Sequence, residues 1–268
     1  MPVPMRIETI TSARNPKIKA LLTLQEKSKA RREEGLFVVE GRRELEHCTA
    51  AGFRVRAVFV CPAIFGGTPQ VPDADIFEVS EEVYRKIAYR EGTEGIIAEV
   101  VARERRLEDI VLSEKPLVMV LESVEKPGNL GAVLRSADAA GADAVIICDP
   151  ATDLYNPNLI RASVGSVFTR QVAVATSEDT IAWLRANGIS ILTAQLQDSV
   201  IYYDTDMRRG TAIVMGTEAT GLTSVWREAA DRHIRIPMLG RLDSLNVSVS
   251  AAILLFEAVR QRESKNLR

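Results

Sequence analysis

Histidine, cysteine and aromatic residues are scarce in this 268-residue chain, which has two His, three Cys and only 5% Phe, Trp and Tyr. Cys48, Cys61 and Cys148 lie far apart, with no CxxC or Cys/His spacing. That pattern excludes a zinc ribbon or a disulfide framework and fits reduced, packed thiols. His47 and His233 have no second metal-ligand type at useful spacing, which argues against a metal centre and leaves both as structural or surface residues. No apolar run approaches the roughly 20 residues that span a bilayer. The start, Met1-Pro2-Val3-Pro4-Met5-Arg6, leads into a charged segment, so no signal peptide is expected. These absences point to a cytoplasmic protein without a membrane partner. No strand-like run is followed by GxGxxG opening a helix, so a dinucleotide-binding Rossmann reading fails. Gly216-Thr217-Glu218-Ala219-Thr220-Gly221 has the spacing of a P-loop, but Leu222 and Thr223 stand where Lys and Ser/Thr are required. Without that lysine the β/γ-phosphates lose their main counter-charge, and ATP hydrolysis is not expected.

What is present is an ordinary core-forming composition, 46% apolar and 26% charged. The net charge of −2 says nothing about nucleic acid, but its distribution does. Between Arg14 and Arg43 lie nine Lys/Arg against four Glu. Such a local excess, including Arg14, Arg31 and Arg32, can neutralise phosphates; it is also what a solvated helix face looks like.

The first hundred residues alternate strand-like runs (Leu36–Glu40, Val55–Cys61, Ile76–Val79, Gly95–Val101) with helical ones (Pro16–Glu34, Arg42–Ala51, Glu81–Ala88, the last capped by Ser80). This reads as a small α/β sandwich over residues 1–105. The charged stretch ahead of Pro116 reads as a linker, 106–115. Residues 116–268 are more regular. Six apolar strands (Leu117–Leu121, Ala144–Cys148, Gln171–Val174, Ile189–Thr193, Thr211–Met215, His233–Ile236) alternate with helices. These are expected over Gly128–Ala140, Pro157–Ser166, Glu178–Asn187 with Ser177 as cap, and Leu222–Ala230. That order predicts an α/β fold with a mostly parallel sheet and helices on both faces. A last helix, Val247–Arg260, places Val247, Ala251, Leu254, Leu255 and Ala258 on one buried face.

Three turns concentrate glycine and polar side chains where strands meet helices: Lys126-Pro127-Gly128-Asn129-Leu130-Gly131 running into Arg135, Met215-Gly216-Thr217-Glu218-Ala219-Thr220-Gly221-Leu222, and Ser244-Leu245-Asn246. Glycine lets backbone approach a ligand and the polar groups fix its orientation. Arg135 follows Gly131 by four residues and Gly128 by seven, so the three share a helix face. Helical side chains lean toward the N-terminus, which sends the guanidinium to a helix mouth that favours anions. A surface ion pair with Asp138 is the bland alternative. Asn129 and Asn246 suit either ligand orientation or turn and N-cap chemistry. Glu218, between two glycines, suits loop support as well as chemistry. Arg161 and Ser163, after Asn156-Pro157-Asn158, suit RNA contact or a plain helix face.

With their neighbours, Ile213 to Leu222 and Ile236-Pro237-Met238 to Ala252, these motifs resemble the SpoU (TrmH-type) family of SPOUT RNA ribose 2'-O-methyltransferases over about residues 117–262. Ser12-Ala13-Arg14-Asn15-Pro16 and Gly35 to Gly41 resemble the RNA substrate-binding domain fused to many members. Glu125-Lys126, where many members carry Asp, and Thr93-Glu94, where Pro-Gln is common, depart from the pattern. The resemblance implies a C-terminal trefoil knot, a homodimer and S-adenosylmethionine as cofactor. It implies cofactor contacts at Thr193, Ala194, Gly216, Gly221, Leu222, Ile236, Met238 and Leu245. It puts Asn129, Arg135, Glu218, Ser244 and Asn246 at polar active-site positions. The basic residues themselves make Arg14, Arg31, Arg32, Arg135 and Arg161 the expected RNA contacts. Family accounts often name the arginine as base. Arginine stays protonated in proteins, which favours a clamp on phosphate or a developing alkoxide. The expected reaction is S-adenosylmethionine-dependent 2'-O-methylation of RNA, with ribosomal RNA favoured over transfer RNA and a noncatalytic RNA-binding protein as the rival.

Overall fold

The structure, a computed structural model, describes residues 7–89, 94–150, 152–169, 171–217, 219–242 and 244–263. Thr93 and Glu218 lie outside the described residues. The chain divides into two compact units, Met1–Glu104 with Asp153–Gly165, and Arg105–Thr152 with Ser166–Arg268.

The first unit contains β1 (Ile7–Ile10), α1 (Pro16–Glu26), α2 (Ser28–Glu34), β2 (Leu36–Glu40), α3 (Arg42–Ala50), β3 (Val55–Val60), α4 (Pro62–Phe65), β4 (Asp75–Val79), α5 (Glu81–Ile87) and β5 (Ile96–Val101). Its sheet runs β1-β4-β3-β5-β2, with β5 antiparallel to both neighbours and the other pairs parallel. α1 begins where Asn15 accepts from the Lys17 amide at 2.9 Å and Pro16 needs no partner for its nitrogen. The single helix expected over Pro16–Glu34 is instead two, because Lys27 is extended at φ −112°, ψ 112°. That break frees the last carbonyls of α1, and Arg31 fills them: its Nη1 donates to Leu24 O at 2.6 Å and Gln25 O at 3.1 Å. Its Nε meets Asp153 at 2.6 Å, and the residue is 4% exposed. Arg31, expected to touch RNA, is therefore a buried pin whose charge is paired through Nε and whose Nη1 is hydrogen-bonded to backbone.

The second unit opens with β6 (Leu117–Glu122), α6 (Pro127–Ala139) and β7 (Ala144–Cys148). The chain then returns to the first unit for Asp153–Gly165, which carries α7 (Pro157–Ser163). There Tyr155 stacks on Phe37 with centroids 4.2 Å apart, and the Tyr89 hydroxyl donates to Asn158 at 3.0 Å. α7 stops three residues earlier than expected because Val164 turns left-handed at φ 53° and Gly165 follows at φ 82°. A Cβ on Gly165 would lie 2.5 Å from His47 Nδ1, so glycine is required for the approach. Ser163, weighed as an RNA contact, is fully buried and donates to Ile160 O at 2.8 Å.

The second unit resumes with α8 (Ser166–Thr169), β8 (Gln171–Ala175), α9 (Ser177–Ala186), β9 (Ser190–Ala194), β10 (Val200–Ile201), β11 (Thr211–Met215), α10 (Ser224–Ala229), β12 (Arg232–Arg235) and α11 (Val247–Glu263). The sheet order is β10-β12-β9-β11-β6-β7-β8, with every pairing parallel. α9 and α10 cover one face over Val118, Val120, Ile146 and Val214, with Trp226 fully buried among them. α6 and α11 pack on each other and on the opposite face. Val247, Ala251, Leu254, Leu255 and Ala258 are all buried. Segment 106–115, expected as a linker, is docked along this unit's β8 edge. Leu107 enters the core, and Val111 exchanges both backbone groups with the Gln171 side chain at 2.7 Å. Among the described residues no helix is long and apolar enough to cross a membrane.

Two outcomes follow from this packing. Leu254→Ala should lose roughly 2–5 kcal/mol in chemical denaturation, since it is 1% exposed between the sheet and α6. Burial pushes the Cys148 thiol up from its ordinary 9.0 to about 12, with the negative charges of Asp149 and Glu122 adding to the effect. A raised folded value gives stability that is complete below the unfolded value and lost as pH climbs toward the folded one. Denaturation midpoints should accordingly fall between about pH 9 and 12, less steeply in Cys148→Ala, and the native thiol should resist disulfide reagents at pH 8.

Candidate active site

The strand order reverses between β6 and β11, and open α/β sheets bind ligands beyond the carboxyl ends of strands at such a point. On the β11 side of that point a cavity of about 370 Å³ lies beyond the carboxyl ends of β9, β11 and β12, lined by residues 194–197, 215–217 and 219–222, by Ile236 and Met238, and by the entry to α11 (Ser244, Leu245, Val247). Its lining joins segments more than fifty residues apart in sequence.

The loop after β11 folds back on itself. The Gly221 amide donates to Thr217 O at 3.1 Å, the two residues form an isolated bridge, and Gly221 sits at φ 69°. A Cβ on Gly216 would lie 2.3 Å from the carbonyl carbon and oxygen of Gly221, which are backbone and cannot swing aside. Glycine at 216 is thus a condition of the loop's shape. The loop's downstream end is held by Glu122, the last residue of β6. Its carboxylate, 3% exposed, accepts from Thr223 N at 2.9 Å and Thr223 Oγ1 at 2.6 Å. This contact delays α10, expected from Leu222, until Ser224. Ser177, expected to cap α9, instead donates to Asp149 at 2.8 Å and accepts from Trp226 Nε1 at 2.9 Å, while Thr176 takes the cap.

Asn246 caps α11, its Oδ1 accepting from Ser248 N at 2.9 Å and Ser248 Oγ at 2.6 Å. Its Nδ2 donates to Asn129 Oδ1 at 3.1 Å. The first and third sequence motifs, 117 residues apart, therefore touch. Arg135 is exposed on α6 and makes no ion pair among the described residues; Asp138, the alternative partner, accepts instead from Thr169 at 2.9 Å. Gly216, Gly221, Leu222, Ala194, Ile236, Met238, Ser244 and Leu245 all line the cavity. Thr193 does not: it is fully buried with its hydroxyl 2.6 Å from His233 Nδ1, so it supports the wall from behind. Glu218 falls outside the described residues. Arg14, Arg32 and Arg161 are exposed on the first unit, with the Arg161 guanidinium 5.8 Å from the Tyr89 ring centre.

Sequence reasoning missed Gln195, Arg227 and Arg235 in the lining. Gln195 Nε2 donates to Gln197 O at 2.9 Å, but its Oε1 is buried with no donor among the described residues. A buried acceptor left open costs free energy and marks a place for a ligand donor. Only its position just past a buried strand end could have signalled it.

Residues 116–256 match the model of the SpoU rRNA Methylase family, and residues 15–98 match the MRM3-like substrate binding domain. The chain belongs to the SpoU rRNA methylase family. It is 36% identical to the 23S rRNA (guanosine-2'-O-)-methyltransferase RlmB of Vibrio parahaemolyticus over 72% of this chain and 81% of that protein. It is 28% identical to the 23S rRNA (guanosine(2553)-2'-O)-methyltransferase RlmP of Bacillus subtilis over 93% of this chain and 98% of that protein. A solved AdoMet-bound rRNA methyltransferase from Sinorhizobium meliloti is 31% identical, covers 95% of this chain and 98% of its own, and superposes with a TM-score of 0.86. The crystal structure of an RNA 2'-O ribose methyltransferase is 40% identical over 95% of this chain and 99% of that one, with a TM-score of 0.80.

In this SpoU chain Gly216→Ala should remove cofactor binding by calorimetry while circular dichroism keeps the native spectrum. Binding within about threefold of wild type would show that the 216–221 loop does not form the pocket.

Proposed function

We propose that the chain transfers the methyl group of S-adenosylmethionine to a ribose 2'-hydroxyl of ribosomal RNA. The observation that carries this reading is the convergence of three motifs, through the Asn246–Asn129 contact and the shared cavity, at the carboxyl ends of β9, β11 and β12. The cavity fits the cofactor on the chain's own features. Gly216 packs against Gly221 and Leu222 in a cradle that a side chain at 216 would fill, the walls combine apolar side chains with polar ones, and the open Gln195 acceptor suits an adenine amine. Bound there, S-adenosylmethionine supplies an electrophilic methyl group on a sulfonium.

The chain's residues position and stabilise. Asn129 and Asn246 orient the hydroxyl and the ligand through paired amides. Arg135, charged and without an ion-pair partner among the described residues, clamps a substrate phosphate or the developing alkoxide. Forming the bond from the 2'-oxygen to the methyl carbon would break the sulfonium's S–C bond and leave a neutral thioether, and the hydroxyl proton would go to a phosphate oxygen or water, because the Arg135 guanidinium holds no free lone pair to accept it. Ser244 and Leu245 border the ligand at the mouth of α11, and Glu218 belongs to the same loop. Arg14, Arg32 and Arg161 serve RNA grip on the first unit.

The protein acts as a cytoplasmic homodimer with the knotted path of its family. Val249 and Phe256, each 48% exposed and seven residues apart on α11, and Leu239, 96% exposed, offer the apolar surface a second copy would cover. α11 contacts both β6 and β11, the strands flanking the switch, as a chain threaded back through the front of the sheet would.

Unmodified ribosomal RNA incubated with methyl-labelled S-adenosylmethionine should yield alkali-resistant labelled dinucleotides, and transfer RNA should not. Arg135→Ala should slow that transfer roughly 10²–10³-fold. Label in transfer RNA alone would overturn the substrate, and absence of both label and cofactor binding would return the noncatalytic reading.

A further inference from the structure

The first unit contains a cavity that methyl transfer does not use. About 440 Å³ in volume, it lies between the α1–α2 pair and the sheet. It exists because small residues stand where large ones would fill the layer: Ala57 on β3, Ala20 on α1 and Ala30 on α2. Strand register fixes what borders Ala57. Asp75 of β4 is its partner on one side and Glu99 of β5 on the other. Alternation turns Glu99 to the same face as Ile97, which belongs to the core under α1.

Glu99 is the unusual member. It is 7% exposed, lines the cavity, and has neither a hydrogen bond nor an ion pair among the described residues. Burial raises its pKa, and the positive charge of Arg56 opposes the shift only in part. A buried carboxyl with no partner is costly and asks for a donor. Three exposed carboxylates, Glu8, Glu34 and Asp75, stand around it, against two cations, Lys17 and Arg56. Lys17 is already held by Glu8 at 2.5 Å and lies 4.1 Å over the Phe77 ring.

This lining selects among ligand classes. The excess of carboxyl groups disfavours a phosphate or any other anion. A single metal ion is disfavoured too, because among the described residues no three His, Cys, Asp or Glu side chains are grouped closely enough to hold one. Asp75 and Glu99 sit two strands apart, roughly 10 Å between backbones at about 4.8 Å per strand spacing. Separated carboxyls with apolar walls between them, Leu24, Leu36 and Phe59, match separated cations joined by methylenes. We propose that this cavity binds a linear aliphatic polyamine, one ammonium meeting Glu99 at the floor, the methylene stem lying against Ala57 and Leu24, and a second ammonium meeting Asp75 or Glu34 at the mouth.

The test is calorimetric titration of the full chain with spermidine, without RNA, beside a titration with magnesium chloride at matched ionic strength. Saturable one-to-one spermidine binding that magnesium does not reproduce is expected. Glu99→Gln, which keeps shape and removes charge, should weaken it at least tenfold, and Ala57→Leu should abolish it by filling the space. Binding to Glu99→Gln within twofold of wild type would overturn the proposal, whatever the fate of Ala57→Leu. So would spermidine heats no larger than those of magnesium.

Discussion

The catalytic half is organised around one buried carboxylate. Glu122 ends the central strand β6 at the point where the sheet order reverses, and its oxygens accept hydrogen bonds from the backbone amide and the hydroxyl of Thr223. A carboxylate at 3% exposure is tolerable only when such donors surround it. Hydrogen bonds to a charged group are worth about 1.5–3 kcal/mol each, enough to fix where the loop after β11 must end. With β11 fixing its start, the loop has to turn back within a few residues, and only glycine at 216 allows its strands of backbone to touch. Ser177 carries the same constraint to α9 and to Trp226. The described parts of this loop are thus held at both ends by contacts within the chain itself, and a site preformed in that way lowers the ordering cost of binding.

Much of this was legible in the sequence, for identifiable reasons. Parallel strands buried on both faces read as unbroken apolar runs, and glycines at strand ends mark close backbone approach, so β6, β7 and β11 and the three turns stood out. The paired roles of Asn246 were legible only as alternatives. N-capping and reaching a partner use different atoms of one amide, and the structure uses both. What stayed hidden depends on contacts between distant residues. Nothing local distinguishes the buried Arg31 from the exposed Arg32 beside it; a break at Lys27 and an acceptor at Asp153 decide between them. The return of Asp153–Gly165 to the first unit is hidden likewise, since Tyr155 looks like any loop aromatic until Phe37 is known to stack on it.

The chemistry of the site is set by what its walls do not offer. Among the described residues lining the cavity there is no Asp, Glu or His, and the cations are Arg227 and Arg235. His233, the one imidazole in this unit, already shares a 2.6 Å contact with Thr193 and stands behind the wall. A site so furnished lends itself to holding, orienting and stabilising charge more than to exchanging protons. That matches a reaction whose electrophile is carried by the cofactor and whose nucleophile sits beside a phosphate in its own substrate. The proton then has an acceptor in the RNA backbone or in water, and the protein's contribution lies in fixed positive charge. An arginine suits that task better than a lysine, because its planar fork can engage two oxygens and it keeps its charge at any working pH. The exposure of Arg135, with no ion-pair partner among the described residues, accords with the clamp proposed for it, since a partner already in place would compete with the substrate.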